Sequence, residues 1–94
     1  MSVVTITRFH SDAASEELVA RHTALVEATR AVNPGLASTW LGRASDDAWV
    51  GVWRWEDAAA LDAARRNPPA EAPAVFGLAT TTPTVEEVTI TDLR

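Results

Sequence analysis

The sequence predicts a single α+β domain with the element order βαββαβ. Three observations support this: the 94 residues suffice for one core, runs of strand length recur along the chain, and two segments of helical periodicity separate them. Right-handed crossovers in this order place two helices on one face of a four-stranded antiparallel sheet. We therefore expect residues 1–94 to adopt the ferredoxin-like arrangement as one domain.

The first strand and the first helix have clear local signals. Ser2–His10 is rich in β-branched residues and short enough for a strand. Apolar positions then recur with helical spacing up to Val32, and Asp12 and Ser15 are both competent N-caps for this helix. Pro34 ends the helix, because a proline disfavours helical backbone at the residue before it.

A hairpin and a second helix follow. Gly35 permits the chain to reverse after the first helix. Leu36–Arg43 and Ala48–Trp55 flank a turn-like cluster of small and acidic residues, which predicts an antiparallel hairpin. Asp57 is a good N-cap, so the second helix is expected over Ala58–Arg66.

The segment after the second helix is less regular. Residues 70–83 are ambiguous because Pro73 divides them, and one helical turn is expected over Ala74–Leu78. Thr84–Leu93 has the β-branched content of a last strand. The pair Arg65–Arg66 ends the second helix, where the helix dipole and solvent account for two cations.

Alternation along the first and third strands predicts a sheet with two apolar faces. One face carries Val3, Thr5, Thr7, Phe9, Trp49, Gly51, Trp53 and Trp55, and the other carries Val4, Ile6, Arg8, Val50, Val52 and Arg54. Two helices cover only one face, and an uncovered apolar face usually marks an interface. A homodimer with sheet packed on sheet is the simplest expectation.

Composition excludes several functions. The net charge is −5 and the chain contains no Lys, which argues against nucleic acid and against an anionic membrane surface. The absence of Cys removes disulfides, thiolate nucleophiles and zinc fingers, and no pair of His residues has metal-ligand spacing, so no metal site is expected. No leader or long apolar run is present, so we expect a cytoplasmic protein.

Two motifs carry a family resemblance over essentially the whole chain. Asn33–Pro34–Gly35–Leu36 precedes the hairpin, and Trp53–Arg54–Trp55–Glu56–Asp57 leads into an Ala-rich helix. The chain thereby resembles the antibiotic biosynthesis monooxygenase family, whose members are dimeric α/β barrels built from ferredoxin-like subunits. The resemblance implies a homodimer, a small aromatic partner molecule and a cofactor-free reaction.

Candidate site residues follow from the resemblance and from the faces of the elements. Trp55 matches a Trp that lines the substrate pocket in oxygenase members of the family. Trp53 and Thr7 share its sheet face, and Gly51 leaves space where Trp40 or a ligand is expected to sit. His22 lies in the helical stripe of Leu18, Val19, Leu25 and Val26, which points at that face. His22 is thus the candidate catalytic base, the alternative being a hydrogen-bonded core residue.

Departures from the family pattern limit the choice of chemistry. Haem-degrading members carry an Asn where Thr7 stands and an axial His after the second helix, whereas no His follows His22 here, so haem degradation is not expected. Quinone-forming members carry an Asn where Gly51 stands, and a Tyr, which this chain lacks. Two functions remain open: a cofactor-independent monooxygenase acting on an aromatic or polyketide-like molecule in a Trp-lined pocket, or a non-catalytic dimeric module binding a small hydrophobic ligand.

Overall fold

The computed structural model describes residues 1–94 and confirms the α+β, ferredoxin-like prediction. The elements in chain order are β1 (Val3–His10), α1 (Ser15–Val32), β2 (Leu36–Arg43), β3 (Ala48–Trp55), α2 (Ala58–Arg66), α3 (Ala72–Phe76) and β4 (Thr84–Thr89). The four strands form one antiparallel sheet in the order β2-β3-β1-β4, so β1 and β3 are central and the other two are edges.

The two long helices differ in how they begin. Helix α1 starts at Ser15 with Ala14 as its N-cap residue and no side-chain cap, so the prediction that Asp12 or Ser15 caps it was wrong. Helix α2 has the predicted cap, because the Asp57 carboxylate accepts a hydrogen bond from the Ala60 backbone N–H over 2.8 Å. That bond satisfies one of the free N–H groups of the first turn.

The turn after α1 packs closely against α2. No glycine of the chain has a positive φ, so Gly35 is not required for a left-handed conformation. Instead, a Cβ at Gly35 would lie 2.5 Å from the Cβ of Ala60, a distance that no side chain tolerates. The Asn33 amide donates to the Ala60 carbonyl over 2.8 Å and accepts from the Gly35 N–H over 3.1 Å. Glycine is needed here for close approach.

Strand register fixes which side chains share a face. Thr7 lies opposite Gly51 and Thr5 opposite Trp53 across the central strand pair. We call the side covered by the helices the helix face; it carries Val3, Thr5, Thr7, Phe9, Trp49, Gly51, Trp53 and Trp55. The opposite side, the outer face, carries Val4, Ile6, Arg8, Val50, Val52 and Arg54. The alternation predicted from the sequence is confirmed.

The core on the helix face is divided into two clusters. One contains Val3, Val26, Leu36, Trp55 and Leu61, and the other contains Phe9, Leu18 and Trp49. The two clusters lie at opposite ends of the central strands, and between them, beside Trp53, the helix face carries only small residues, Thr5, Thr7 and Gly51. Because these residues are small, they leave space between the sheet and the helices.

Candidate functional site

A cavity of about 240 Å³ lies over the middle of the two central strands. We call it the central cavity. Its floor is the helix face, and its walls come from α1, α2 and the segment from Pro68 to Phe76. The lining includes Thr5, Thr7, His22, Gly51, Trp53 and Trp55. Four of the five predicted site residues, His22, Thr7, Trp53 and Trp55, therefore meet around one space.

His22 reaches the central cavity from the middle of α1. Leu18 and Leu25, one turn before it and one turn after it, are buried, so this stripe of the helix faces the sheet. Val19, which the periodicity placed in the same stripe, is 51% exposed, and that part of the prediction was wrong. The Trp53 indole Nε1–H donates to Nε2 of His22 over 3.0 Å, with the two rings meeting edge to face at 5.7 Å.

This hydrogen bond defines the protonation state of His22. An indole N–H only donates, so Nε2 must be the acceptor and a neutral His22 carries its proton on Nδ1. Burial lowers the pKa of His22 from its ordinary value of 6.5, because the cation loses hydration inside the protein. A neutral imidazole with its Nε2 lone pair directed at an indole is thus the resting state at neutral pH.

Trp55 provides a second indole in the central cavity. Its side chain is almost completely buried, and its Nε1–H has no hydrogen-bond partner. A buried donor without an acceptor costs about 1–3 kcal/mol of stability. The rings of Trp53 and Trp55 lie 6.0 Å apart at an angle of 39°. Together they form an apolar wall, and the unpaired Trp55 nitrogen lies behind its surface.

The position of Trp40 differs from the prediction. Trp40 lies opposite Val52 in the register of β2 and β3, which directs it to the outer face, and it is 55% exposed. Leu41 takes the expected place, because it lies opposite Gly51 and lines the central cavity. The register shifts between Leu36 and Ser38, so simple alternation from the start of β2 does not give the face of Trp40.

Several lining residues were not predicted as part of the site. Arg65 of α2 reaches the cavity, and Pro68, Pro69, Val75 and Phe76 close its remaining side. Pro68 and Pro69 belong to the loop after α2, and Val75 and Phe76 belong to α3, in a stretch where the sequence gives no period from which a face is assigned. Helical spacing could have placed Arg65 at the cavity, because Leu61 lies four residues before it on the same stripe of α2.

No group of three or more His, Asp or Glu side chains is placed to hold a metal ion. None of the helices combines the length and the apolar character that a membrane span requires. The central cavity, where aromatic rings, an imidazole and hydroxyl groups come together, is therefore the candidate functional site.

Comparison with known proteins supports the fold. The sequence matches no family model and no curated protein. Among solved structures, it is similar to SnoaB, a cofactor-independent oxygenase from Streptomyces nogalater, with a TM-score of 0.79 and 23% identity over 98% of this chain and 95% of that one. The ActVA-Orf6 monooxygenase of Streptomyces coelicolor, solved with nanaomycin D, has a TM-score of 0.77 and 22% identity over 99% and 90%.

A third solved structure carries the family name itself. An antibiotic biosynthesis monooxygenase matches with a TM-score of 0.73 and 23% identity, over 98% of this chain and 100% of that one. At such identities the agreement concerns the path of the backbone along the whole chain, and chemistry does not follow from it. The resemblance seen in the sequence motifs is confirmed, and the chain has the fold of the antibiotic biosynthesis monooxygenase family.

Proposed function

We propose that the protein is a cofactor-independent monooxygenase that acts on an aromatic or polyketide-like small molecule bound in the central cavity. The observation that carries this proposal is the meeting of His22, Trp53 and Trp55 around one space. The shared fold adds support, because SnoaB is a cofactor-independent oxygenase and ActVA-Orf6 was solved with nanaomycin D.

The shape and chemistry of the cavity select the kind of ligand. Ligand pockets usually measure roughly 300–1,000 Å³. The central cavity, at about 240 Å³, lies just below this range, which limits the ligand to a small molecule of two or three fused rings. The two indole rings offer flat surfaces for stacking against such rings. Polar groups are few, and a planar ligand with one or two oxygen atoms matches them.

His22 is the group that takes a proton in this proposal. It is neutral at neutral pH, and its Nε2 lone pair accepts the hydrogen bond from the Trp53 indole at the edge of the cavity. A substrate C–H or O–H must displace the Trp53 N–H before Nε2 accepts its proton. The displaced indole N–H then becomes available to the anion that forms, so one hydrogen bond is exchanged for another.

Trp55 stabilises the same anion. Its Nε1–H has no partner in the protein and is shielded from solvent, so in this proposal a small rotation of the ring brings it to a substrate carbonyl or phenolate oxygen. Hydrogen-bond donors held in a dry site before the reaction stabilise developing negative charge more strongly than donors in water. The hydroxyl groups of Thr5 and Thr7 on the cavity floor are further donors.

The chemistry balances without a cofactor when the substrate is an activated methylene compound. The carbon gives one proton to His22, and the carbanion transfers an electron to dioxygen and combines with it as a peroxide. His22 returns the proton to the outer peroxide oxygen. Loss of the second C–H proton, with cleavage of the O–O bond, leaves a carbonyl and releases water. Thus CH₂ and O₂ become C=O and H₂O, and the substrate supplies all the electrons.

Oxygen uptake with an anthrone, whose central methylene is activated by two rings, tests the proposal. Wild type should consume oxygen and form the anthraquinone, and His22→Gln should lose at least about 100-fold of the rate, because Gln keeps the hydrogen bond to Trp53 but takes no proton. His10→Gln is the matched control, since His10 lies at the end of β1 with its side chain half exposed. An equal rate in wild type and His22→Gln would overturn the role of His22.

A non-catalytic dimeric module that binds a small hydrophobic ligand is the alternative. The observation that favours it is the engagement of Nε2 of His22 by Trp53, which gives the imidazole a complete structural role. This function predicts that anthrone binds to wild type while oxygen uptake stays at the rate of the uncatalysed solution. Binding without turnover would replace the proposed enzyme by this module.

A further inference from the structure

The central cavity contains a single side chain that is ionised at neutral pH, that of Arg65. All the other lining residues are apolar, hydroxyl-bearing or, in the case of His22, held neutral by burial. Arg65 lies in the last turn of α2, on the same stripe as Leu61 and Ala64, which also line the cavity. A cation at the edge of an apolar, aromatic cavity is a recognition element for an anionic group.

Arg65 is paired, but the pair is weakly held. Its Nη1 donates to Oε2 of Glu87 on β4 over 3.2 Å, through a single contact. Both side chains are nearly half exposed, at 49% and 44%, and exposed pairs of this kind contribute little to stability. Glu87 lies opposite Thr5 in the register of β1 and β4, and Thr5 belongs to the cavity floor. The carboxylate that Arg65 now contacts is therefore beside the space that a ligand would occupy.

The neighbouring residue shows that helix-end charge does not account for this placement. Arg66 lies in the same last turn of α2 and has a similar favourable interaction with the helix dipole, yet it does not line the cavity. One residue corresponds to about 100° of rotation around a helix, which turns Arg66 away from the stripe of Leu61 and Arg65. The chain thus offers two adjacent arginines of which only one reaches the site.

We propose that Arg65 binds a carboxylate of the substrate by exchanging Glu87 for it, so that the substrates are planar aromatic carboxylates. The proposal rests on the function proposed above, because it requires an aromatic ligand in the central cavity. The guanidinium presents two parallel N–H donors to a carboxylate, whereas Glu87 uses only one contact. A chain with a net charge of −5 repels anions at long range, so a local cation is needed to hold one.

Calorimetric titration with a pair of neutral and anionic probes tests the proposal. The probes are 2-naphthoate and 2-naphthamide, which have the same rings and nearly the same volume. Wild type should bind the naphthoate at least about tenfold more tightly than the amide. Arg65→Gln should remove that preference, and Arg66→Gln, the matched control, should retain it. Glu87→Gln should strengthen naphthoate binding several-fold, because the competing carboxylate is gone.

The outcomes separate this proposal from the function on which it rests. Equal binding of the two probes by wild type, or a naphthoate preference that survives Arg65→Gln, would overturn the role of Arg65 while leaving the cavity as a ligand site. If the same loss occurs in Arg66→Gln, the preference arises from general charge, and the proposal is again overturned. If wild type binds neither probe, both this proposal and the proposed aromatic substrate are wrong.

Discussion

The indole of Trp53 donates a hydrogen bond to Nε2 of His22 over 3.0 Å and thereby joins β3 to α1 across the central cavity. The bond exists only while His22 is neutral, since a protonated imidazole has no lone pair to accept it. The same contact therefore serves as a structural link in the resting protein and as the group that a substrate proton must displace. Its dependence on protonation gives a measurable consequence for stability.

We predict that stability falls as the pH decreases below about 6.5, the ordinary pKa of His. Burial lowers the pKa of His22 in the folded protein, so above that value both states are neutral, and below it the unfolded chain binds the proton first. The unfolded state then holds more protons, which makes the free energy of unfolding fall with decreasing pH until the lower folded pKa is passed. Urea denaturation at a series of pH values between 8 and 5 measures this slope.

The histidine variants identify the source of the slope. His22→Gln should flatten the part of the profile just below pH 6.5, because Gln preserves the contact with Trp53 without titrating. His10→Gln should retain it, since the His10 side chain is half exposed at the end of β1. If the profile of His22→Gln coincides with that of wild type, proton binding at His22 does not contribute to the pH dependence of the free energy of unfolding.

The outer face of the sheet leads to a prediction about assembly. Trp40, Val52 and Ile6 form an apolar row across β2, β3 and β1, and no helix covers that side. We propose that a second copy of the chain covers it, because exposed apolar faces of sheets usually pack against a partner. Val52→Glu places a charge in the centre of that row and should weaken the dimer by at least about 3 kcal/mol.

Sedimentation at micromolar concentration checks the assembly, with wild type expected as a dimer and Val52→Glu as a monomer or an unfolded chain. Val32→Glu is the matched control, since Val32 is 75% exposed at the end of α1 and away from the outer face. A native chain that sediments as a stable monomer would contradict the proposal. So would a Val52→Glu variant that remains dimeric.

The residues that meet in the central cavity were largely predictable from strand alternation. Side chains alternate along β1 and β3 wherever the ends of the strands are placed. Thr7, Trp53 and Trp55 were therefore assigned to one face correctly. In the same way, the helical spacing of Leu18 and Leu25 around His22 gave its direction wherever α1 begins. Trp40 was placed beside Gly51 only from the space that a glycine leaves; the register, which shifts near the start of β2, puts Leu41 there and directs Trp40 to the outer face.

Arg65 was not predicted because a local explanation already sufficed for it. Two cations at the end of α2 fit the helix dipole, and composition alone gives no reason to separate Arg65 from Arg66. Only the packing of α2 over the sheet distinguishes them. The segment from Pro68 to Phe76 had no periodicity, so its closure of the cavity depends on tertiary packing that a local pattern does not contain.

Haem provides a further prediction. The chain has no His after His22, so the axial ligand of haem-degrading members has no counterpart. Titration with haemin should therefore give no stoichiometric shift of the Soret band. A defined complex that consumes haem in the presence of a reductase would contradict this, and the loss of that complex in His22→Gln would identify His22 as the ligand.

Gly51→Ala should raise stability and lower ligand affinity together. A Cβ at Gly51 meets only Cδ1 of Leu41 at 3.9 Å, an ordinary contact, so the strand accepts it without strain. Alanine in a strand interior is favoured over glycine by roughly 0.5–1 kcal/mol, which sets the expected gain in the free energy of unfolding. The new methyl group projects from the cavity floor beside Thr7, where a stacked ring would lie, and filling such space costs a ligand about 1–3 kcal/mol.

Denaturation and titration with 2-naphthoate on the same samples measure the two effects of Gly51→Ala. Gly42→Ala is the control, because Gly42 lies opposite Val50 on the outer face and does not line the central cavity. It should leave naphthoate affinity unchanged, although its Cβ would lie 3.1 Å from the exposed Trp40 ring. If Gly51→Ala gains stability and binds the naphthoate as tightly as wild type, the ligand does not occupy the cavity floor.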